Sequence, residues 1–251
     1  MARAVPSAIA PRITLRNLAL GYDGHVALQE VSLAIEPAAL LAVVGPNGAG
    51  KSTLIKALAG LLKPLRGRIE GLARARVAYM PQQGTLERGF PATVFELAAL
   101  GLWHETGALG RLTSAQRARC QAALEQVGLG PLAQRHLHEL SGGQLQRALF
   151  ARLLLQDAPV LLLDEPFAAI DERTCLDLLA LMRDWQQQGK TVLAVLHDMA
   201  QVRHAFPQTL MLAGRVLAYG PTPAVLTPEN LRQMRAGAAW ETAHDLQGAP
   251  S

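Results

Sequence analysis

Apolar positions along the chain follow two rhythms. In "RITLRNLALGY" (residues 12–22) and "VALQEVSLAIE" (26–36) apolar and polar residues alternate, which predicts an antiparallel, half-exposed sheet at the start. The next segment, "LLAVVGPNGAGKSTLIKALAGLL", is a short continuous apolar run, then a Gly-rich turn, then helical spacing. That order predicts a buried parallel strand feeding a helix. "GRIEG" and "RVAYMP" read as two further short strands. From about 85 to 155 the period turns helical. In "TSAQRARCQAALEQVGLG" Thr113 and Gln116 have capping-box spacing, Cys120, Ala123, Leu124 and Val127 share one face, and Gly128 ends the pattern. Beyond it come the strand "PVLLLDEP", a helix through "TCLDLLALMRDWQQQ", the strand "TVLAVLHD" and a strand pair around "TLMLAGRVLAYG". The sum is an α/β chain with a mostly parallel core, an N-terminal antiparallel β subdomain and an inserted α-helical subdomain. From Pro221 the sequence is Pro- and Ala-rich and then reads as a loose polar tail.

Composition changes this picture little. Half of the 251 residues are hydrophobic and 18% charged, so the chain is core-forming, and its length suits one large domain with an insertion. A net charge of +4 fits a nucleotide, an anionic membrane surface or nucleic acid as well as it fits a solvated Arg-rich surface. Cys120 and Cys175 stand far apart and read as reduced thiols. "MARAVPSAIAPR" lacks the apolar core of a signal peptide, and no apolar run is long enough to span a membrane. A cytosolic chain that reaches a membrane only through a partner is expected.

Three short stretches carry chemistry. "GPNGAGKST" fits the phosphate-loop pattern: Gly45, Pro46, Asn47, Gly48, Ala49 and Gly50 curl the backbone around phosphates, and Thr53 adds a further N–H. Lys51 brings a point charge to the β and γ phosphates, and the Ser52 hydroxyl can join a Mg²⁺ shell. In "VLLLDEP" two carboxylates close a buried strand: Asp164 suits Mg²⁺, and Glu165 suits the attacking water. His197 ends another apolar strand, where a γ-phosphate sensor would stand. Exposed Tyr22 can stack on adenine.

The stretch "ELSGGQLQR" needs a separate explanation. Ser141 and Gln144 have capping-box spacing, but Gly142 and Gly143 in a first helical turn each cost about 1 kcal/mol relative to alanine. That expense implies close approach of an anion. With it, residues 12–225 resemble the ATP-binding subunit of ABC transporters: Tyr22 as A-loop, 45–53 as Walker A, Gln82 in "YMPQQ" as Q-loop, "LSGGQ" at 140–144 as signature. Residues 160–165 match Walker B, "AAID" at 168–171 ending in Asp171 matches the D-loop, and His197 matches the switch histidine. The resemblance implies a P-loop NTPase (RecA-like) core, ATP and Mg²⁺ as ligands, and Gln82 among the magnesium and hydrolysis groups. It implies a head-to-tail dimer in which Ser141, Gly142, Gly143, Gln144 and Asp171 serve the partner's nucleotide. Integral-membrane permease subunits at the cytoplasmic face, and indirectly an extracytoplasmic solute-binding protein, are the further partners; no nucleic acid is expected.

"FPATVFE" (90–96) resembles importers of zinc, manganese or iron. Siderophore, haem or cobalamin importers, and a soluble ATPase of iron–sulfur assembly, stay open as alternatives. Long coiled-coil repair ATPases do not fit, because only about ninety residues without heptads separate Lys51 from Ser141. His136 and His138 read as solvated surface, and the segment 226–251 as a tail without a domain of its own.

Overall fold

The computed structural model describes residues 10–22, 25–73, 76–82, 91–107, 110–168 and 170–245, with side chains as far as 236. Strand β1 (Ile13–Tyr22) pairs antiparallel with β2 (His25–Ile35), Ile13 opposite Ile35 and Tyr22 opposite His25. The alternation in β1 slips at Arg16–Asn17, and the structure shows why. The pairing register shifts there, and Asn17 takes a left-handed backbone (φ 47°). Ser32 holds this bulge, accepting from the Asn17 N–H at 2.9 Å and donating to its Oδ1 at 3.0 Å. The slip returns Leu18 and Leu20 to the buried face already occupied by Ile13 and Leu15.

Strand β3 (Leu40–Val44) is buried throughout and leads through the Gly-rich loop into α1 (Lys51–Leu58). Strand β4 (Arg66–Glu70) returns to pair with β1 and completes a three-stranded sheet, β2-β1-β4. Next come β5 (Val77–Met80) and the helical region: α2 (Val94–Ala99), α3 (Trp103–Thr106), α4 (Ser114–Gln126) and α5 (Gly142–Gln156). The chain then forms β6 (Val160–Asp164), α6 (Glu172–Gln187), β7 (Thr191–Val195), α7 (Met199–Ala205), β8 (Gln208–Leu212) and β9 (Val216–Pro221). The main sheet runs β5-β6-β7-β3-β8-β9, parallel except for β9, which pairs antiparallel with β8.

Successive residues of the central strands point to opposite faces, and each face has its own core. Leu40, Ala42 and Val44 join the core shared with the helices, while Leu41 and Val43 pack against α1 and the small antiparallel sheet. The sheet is therefore covered on both sides, as its unbroken apolar strands require. Among the described residues, no helix is long and apolar enough to cross a membrane.

One expectation needs correction. The segment read as a loose polar tail contains a short turn, α8 (Thr222–Val225), and then a long helix, α9 (Pro228–Asp245). Its start is well specified: the Thr227 hydroxyl accepts from the Asn230 N–H at 3.2 Å, and Pro228 suits a first helical position. Leu231 and Met234, three apart, pack on the main core. So few apolar anchors leave little periodicity to detect.

In the main core the rings of Phe150 (α5) and Trp185 (α6) stack at 5.9 Å between centroids and 7° between planes. Both are buried, so this pair ties α5 to α6 within that core. Trp185→Ala is expected to lower the unfolding free energy by about 3–5 kcal/mol in urea denaturation, whereas a loss below about 1 kcal/mol would show that the pair is dispensable.

Candidate functional site

The loop between β3 and α1 is built on close backbone contact. Gly50, the N-cap of α1, has φ 85°, and a Cβ there would fall 2.3 Å from Leu28 Cγ and 2.9 Å from the Ala27 carbonyl. Only glycine fits. An N-cap glycine offers no side-chain acceptor to the first-turn N–H groups, which is the setting in which a helix N-terminus takes an anion. Lys51 is buried and folds back on its own loop: its Nζ donates to the carbonyls of Gly45 at 3.0 Å and Pro46 at 2.6 Å.

Two strand ends face this loop. Asp164, last in β6 and only 1% exposed, accepts from the Ser52 hydroxyl at 3.0 Å. Burial raises its pKa. The Ser52 hydrogen bond and the charges of Lys56 and Lys51 oppose that rise, while Glu165 adds to it. Glu165 itself stands at φ 53°, a conformation that costs a non-glycine residue about 1–3 kcal/mol. Both oxygens of its carboxylate are engaged: Gln82 Nε2 donates to Oε2 at 2.8 Å, and His197 Nε2 lies 2.8 Å from Oε1. The loop, Gln82, Glu165 and His197 border an open cavity of about 550 Å³, lined among the described residues by Asn47 to Thr53, Gln82, Glu165 and His197.

The remaining predicted residues lie apart from that cavity. Tyr22 is 44% exposed at the end of β1, its ring centroid 5.9 Å from Lys56 Nζ. Asp171 caps α6, accepting from the Thr174 N–H at 2.9 Å and its hydroxyl at 2.8 Å; these bonds hold its pKa low. Ser141 caps α5 with the expected reciprocal pair: the Gln144 N–H donates to Ser141 Oγ at 3.2 Å, and the Ser141 N–H donates to Gln144 Oε1 at 3.0 Å. Neither these two residues nor Gly142 and Gly143 line the phosphate cavity. His136 and His138 are exposed and stacked, as expected of surface residues. Phe90 and Ala169 lie outside the described residues. In "PATVFE" Thr93 and Glu96 form the capping box of α2, so two residues of that stretch have a structural role of their own.

Gln146 and Arg152, both on α5, contact the backbone of segments that lead into the site, although their pattern passes for ordinary helix. Gln146 is fully buried and donates to the Pro166 carbonyl, next to Glu165, at 2.7 Å. Arg152 donates to the Tyr79 carbonyl at 2.9 Å, and burial lowers its pKa. Both are polar residues inside the apolar run "LQRALFARLLL", and that placement is the signal that could have found them.

A Gly-rich loop at a helix start, a buried lysine and a serine-bound carboxylate on the neighbouring strand end define a P-loop nucleotide hydrolase. The ABC transporter family matches residues 28–168. The chain is similar to the manganese transport system ATP-binding protein MntB of Bacillus subtilis, at 37% identity over 90% of this chain and 92% of the relative. It is equally similar to the zinc transport system ATP-binding protein TroB of Treponema pallidum, at 37% identity over 92% and 89%. A solved ATP-binding cassette, a dimer in a post-hydrolysis state with ADP and Pi, superposes with a TM-score of 0.74 at 26% identity, covering 84% of this chain and 98% of that one. The chain belongs to the ABC transporter family and is an ATP-binding, ATP-hydrolysing member of it.

The raised pKa of Asp164 carries a stability consequence. At neutral pH its ionised form is penalised in the folded state, so Asp164→Asn removes a cost while keeping an acceptor for Ser52. The nucleotide-free variant is expected to melt higher, by about 2–4 °C per kcal/mol recovered, while losing hydrolysis. The gain shrinks as pH falls until aspartate is protonated in folded and unfolded chains alike. A lower melting temperature at pH 7 would contradict this.

Proposed function

We propose that the chain is the ATPase of a metal-ion importer, for zinc or manganese, acting as a head-to-tail pair with a second copy. It sits peripherally on the cytoplasmic face of the membrane through permease subunits, and an extracytoplasmic solute-binding protein delivers the cargo on the other side. The transport reading is supported by relatives that are named for manganese and zinc transport and match nearly the whole chain. The pairing reading is carried by one observation: Ser141–Gln144 open α5 as a capped, glycine-bearing helix start that does not line the chain's own phosphate cavity.

In this mechanism Gly45, Pro46, Asn47, Gly48, Ala49 and Gly50 wrap the phosphates, with the N–H groups of Lys51, Ser52 and Thr53 completing the cradle. Lys51 exchanges the Gly45 and Pro46 carbonyls for the β and γ phosphates. Tyr22 stacks on the adenine. Ser52 and Asp164, already joined by a hydrogen bond, and the carbonyl oxygen of Gln82 would hold Mg²⁺, since an all-oxygen set suits that hard cation. The ion would supply positive charge against the phosphate oxygens. Glu165 takes a proton from the attacking water; the new oxygen–phosphorus bond forms as the bond to the β-phosphate oxygen breaks in line. Gln82 and His197 hold the two Glu165 oxygens, and His197 senses the γ-phosphate. Ser141, Gly142, Gly143 and Gln144 close the partner's site, with Asp171 holding the start of α6 beside it.

Ser141→Arg tests both parts. It is expected to abolish ATP hydrolysis while leaving the chain's own nucleotide affinity within a few-fold, and a strain carrying only this variant should lose zinc or manganese uptake. Equal loss of nucleotide binding would contradict the trans arrangement. Unchanged uptake of both metals would contradict the importer.

A further inference from the structure

Gln146 is a primary amide in the middle of the main core. Such a group costs about 1–3 kcal/mol to bury unless its hydrogen bonds are made. Its Nε2 donates to the Pro166 carbonyl at 2.7 Å and lies 3.9 Å from Met80 Sδ. Each contact touches the hydrolytic machinery at one remove. Pro166 follows Glu165 in a turn closed by the Ala168 N–H bonding to the Glu165 carbonyl at 3.3 Å. Met80 ends β5, two residues before Gln82. The same helix holds β5 further along: Arg152 donates to the Tyr79 carbonyl at 2.9 Å and Gln156 to the Val77 carbonyl at 3.3 Å. Among the described residues β5 is an edge strand with a single strand neighbour, so it needs partners for its other backbone groups.

We propose that Gln146 is a positioning residue for hydrolysis, fixing the 165–168 turn so that Glu165 meets the attacking water, and joining that turn to the helix that starts at Ser141. A strained backbone such as that of Glu165 persists only where its surroundings over-determine it, and the Gln146 amide supplies a fixed donor at the next peptide. An apolar side chain of the same length would fill the space but remove the amide donor to the Pro166 carbonyl. From Ser141 to Gln146 is about 7–8 Å along the helix axis. In the head-to-tail pair, then, one end of this helix turn reads the partner's nucleotide and the other holds this chain's own hydrolytic carboxylate. That link rests on the proposed roles of Glu165 and the signature.

The test is steady-state kinetics, nucleotide affinity and thermal melting for Gln146→Met and Gln146→Asn, with Glu165→Gln alongside. Both Gln146 variants are expected to lower kcat by roughly ten-fold or more while KM and ATP affinity stay within about two-fold. Turnover within two-fold of wild type in either folded variant would overturn the proposal. So would a kcat loss that merely tracks a loss of folded protein, or failure of both variants to fold, since each makes Gln146 a core residue only. Retained turnover in Glu165→Gln would instead sink the hydrolytic role of Glu165, whereas loss there with none in the Gln146 variants sinks this inference alone.

Discussion

The hydrogen bond from Ser52 to Asp164, 3.0 Å long and spanning 112 residues of chain, is the contact on which the site depends. It joins the phosphate loop after β3 to the carboxylate end of β6, two strands separated in the sheet by β7. Parallel strands present all their carboxyl ends at one edge, so Gly45, Asp164 and His197 arrive together because the sheet is parallel and continuous. The burial that makes the sheet stable also isolates Asp164, and its raised pKa is the cost of that placement. A carboxylate kept there against its solvation suits a divalent cation far better than an empty core.

The second constraint is the turn after β6. Glu165 adopts a left-handed backbone, and groups from three separate elements converge on it: Gln82 after β5, His197 after β7 and, through Pro166, Gln146 of α5. The helical region α2–α5 is therefore more than an appended lobe. Through α5 it reaches both the edge strand that carries Gln82 and the turn that carries Glu165, and the stacked Phe150–Trp185 pair anchors the helix to α6.

Much of this was legible in the residues. The phosphate loop, the DE pair, His197 at a strand end and the Ser141–Gln144 cap are local motifs whose helix or strand context is written within a few positions. The strand alternation and the unbroken apolar core strands set the two sheets. What escaped was what depends on distant partners. Helix α9 has only Leu231 and Met234 as described core anchors, too few to show a period. The role of Gln146 lies in a carbonyl twenty residues away, and Arg152 and Gln156 answer to β5, more than seventy residues earlier. The stretch "FPATVFE" illustrates the converse: part of it is explained locally, by the capping box of α2.

In the proposed head-to-tail pair, the phosphate cavity with its loop, Glu165 and His197 on one chain is completed by the glycine-bearing helix start of the other, which lies outside its own cavity. The most direct measurement is sedimentation velocity of the wild-type chain with Mg²⁺ and either a non-hydrolysable ATP analogue or ADP. A dimer with the analogue and a monomer with ADP is the predicted result. A monomer in both cases, with nucleotide bound in each, would contradict the shared site.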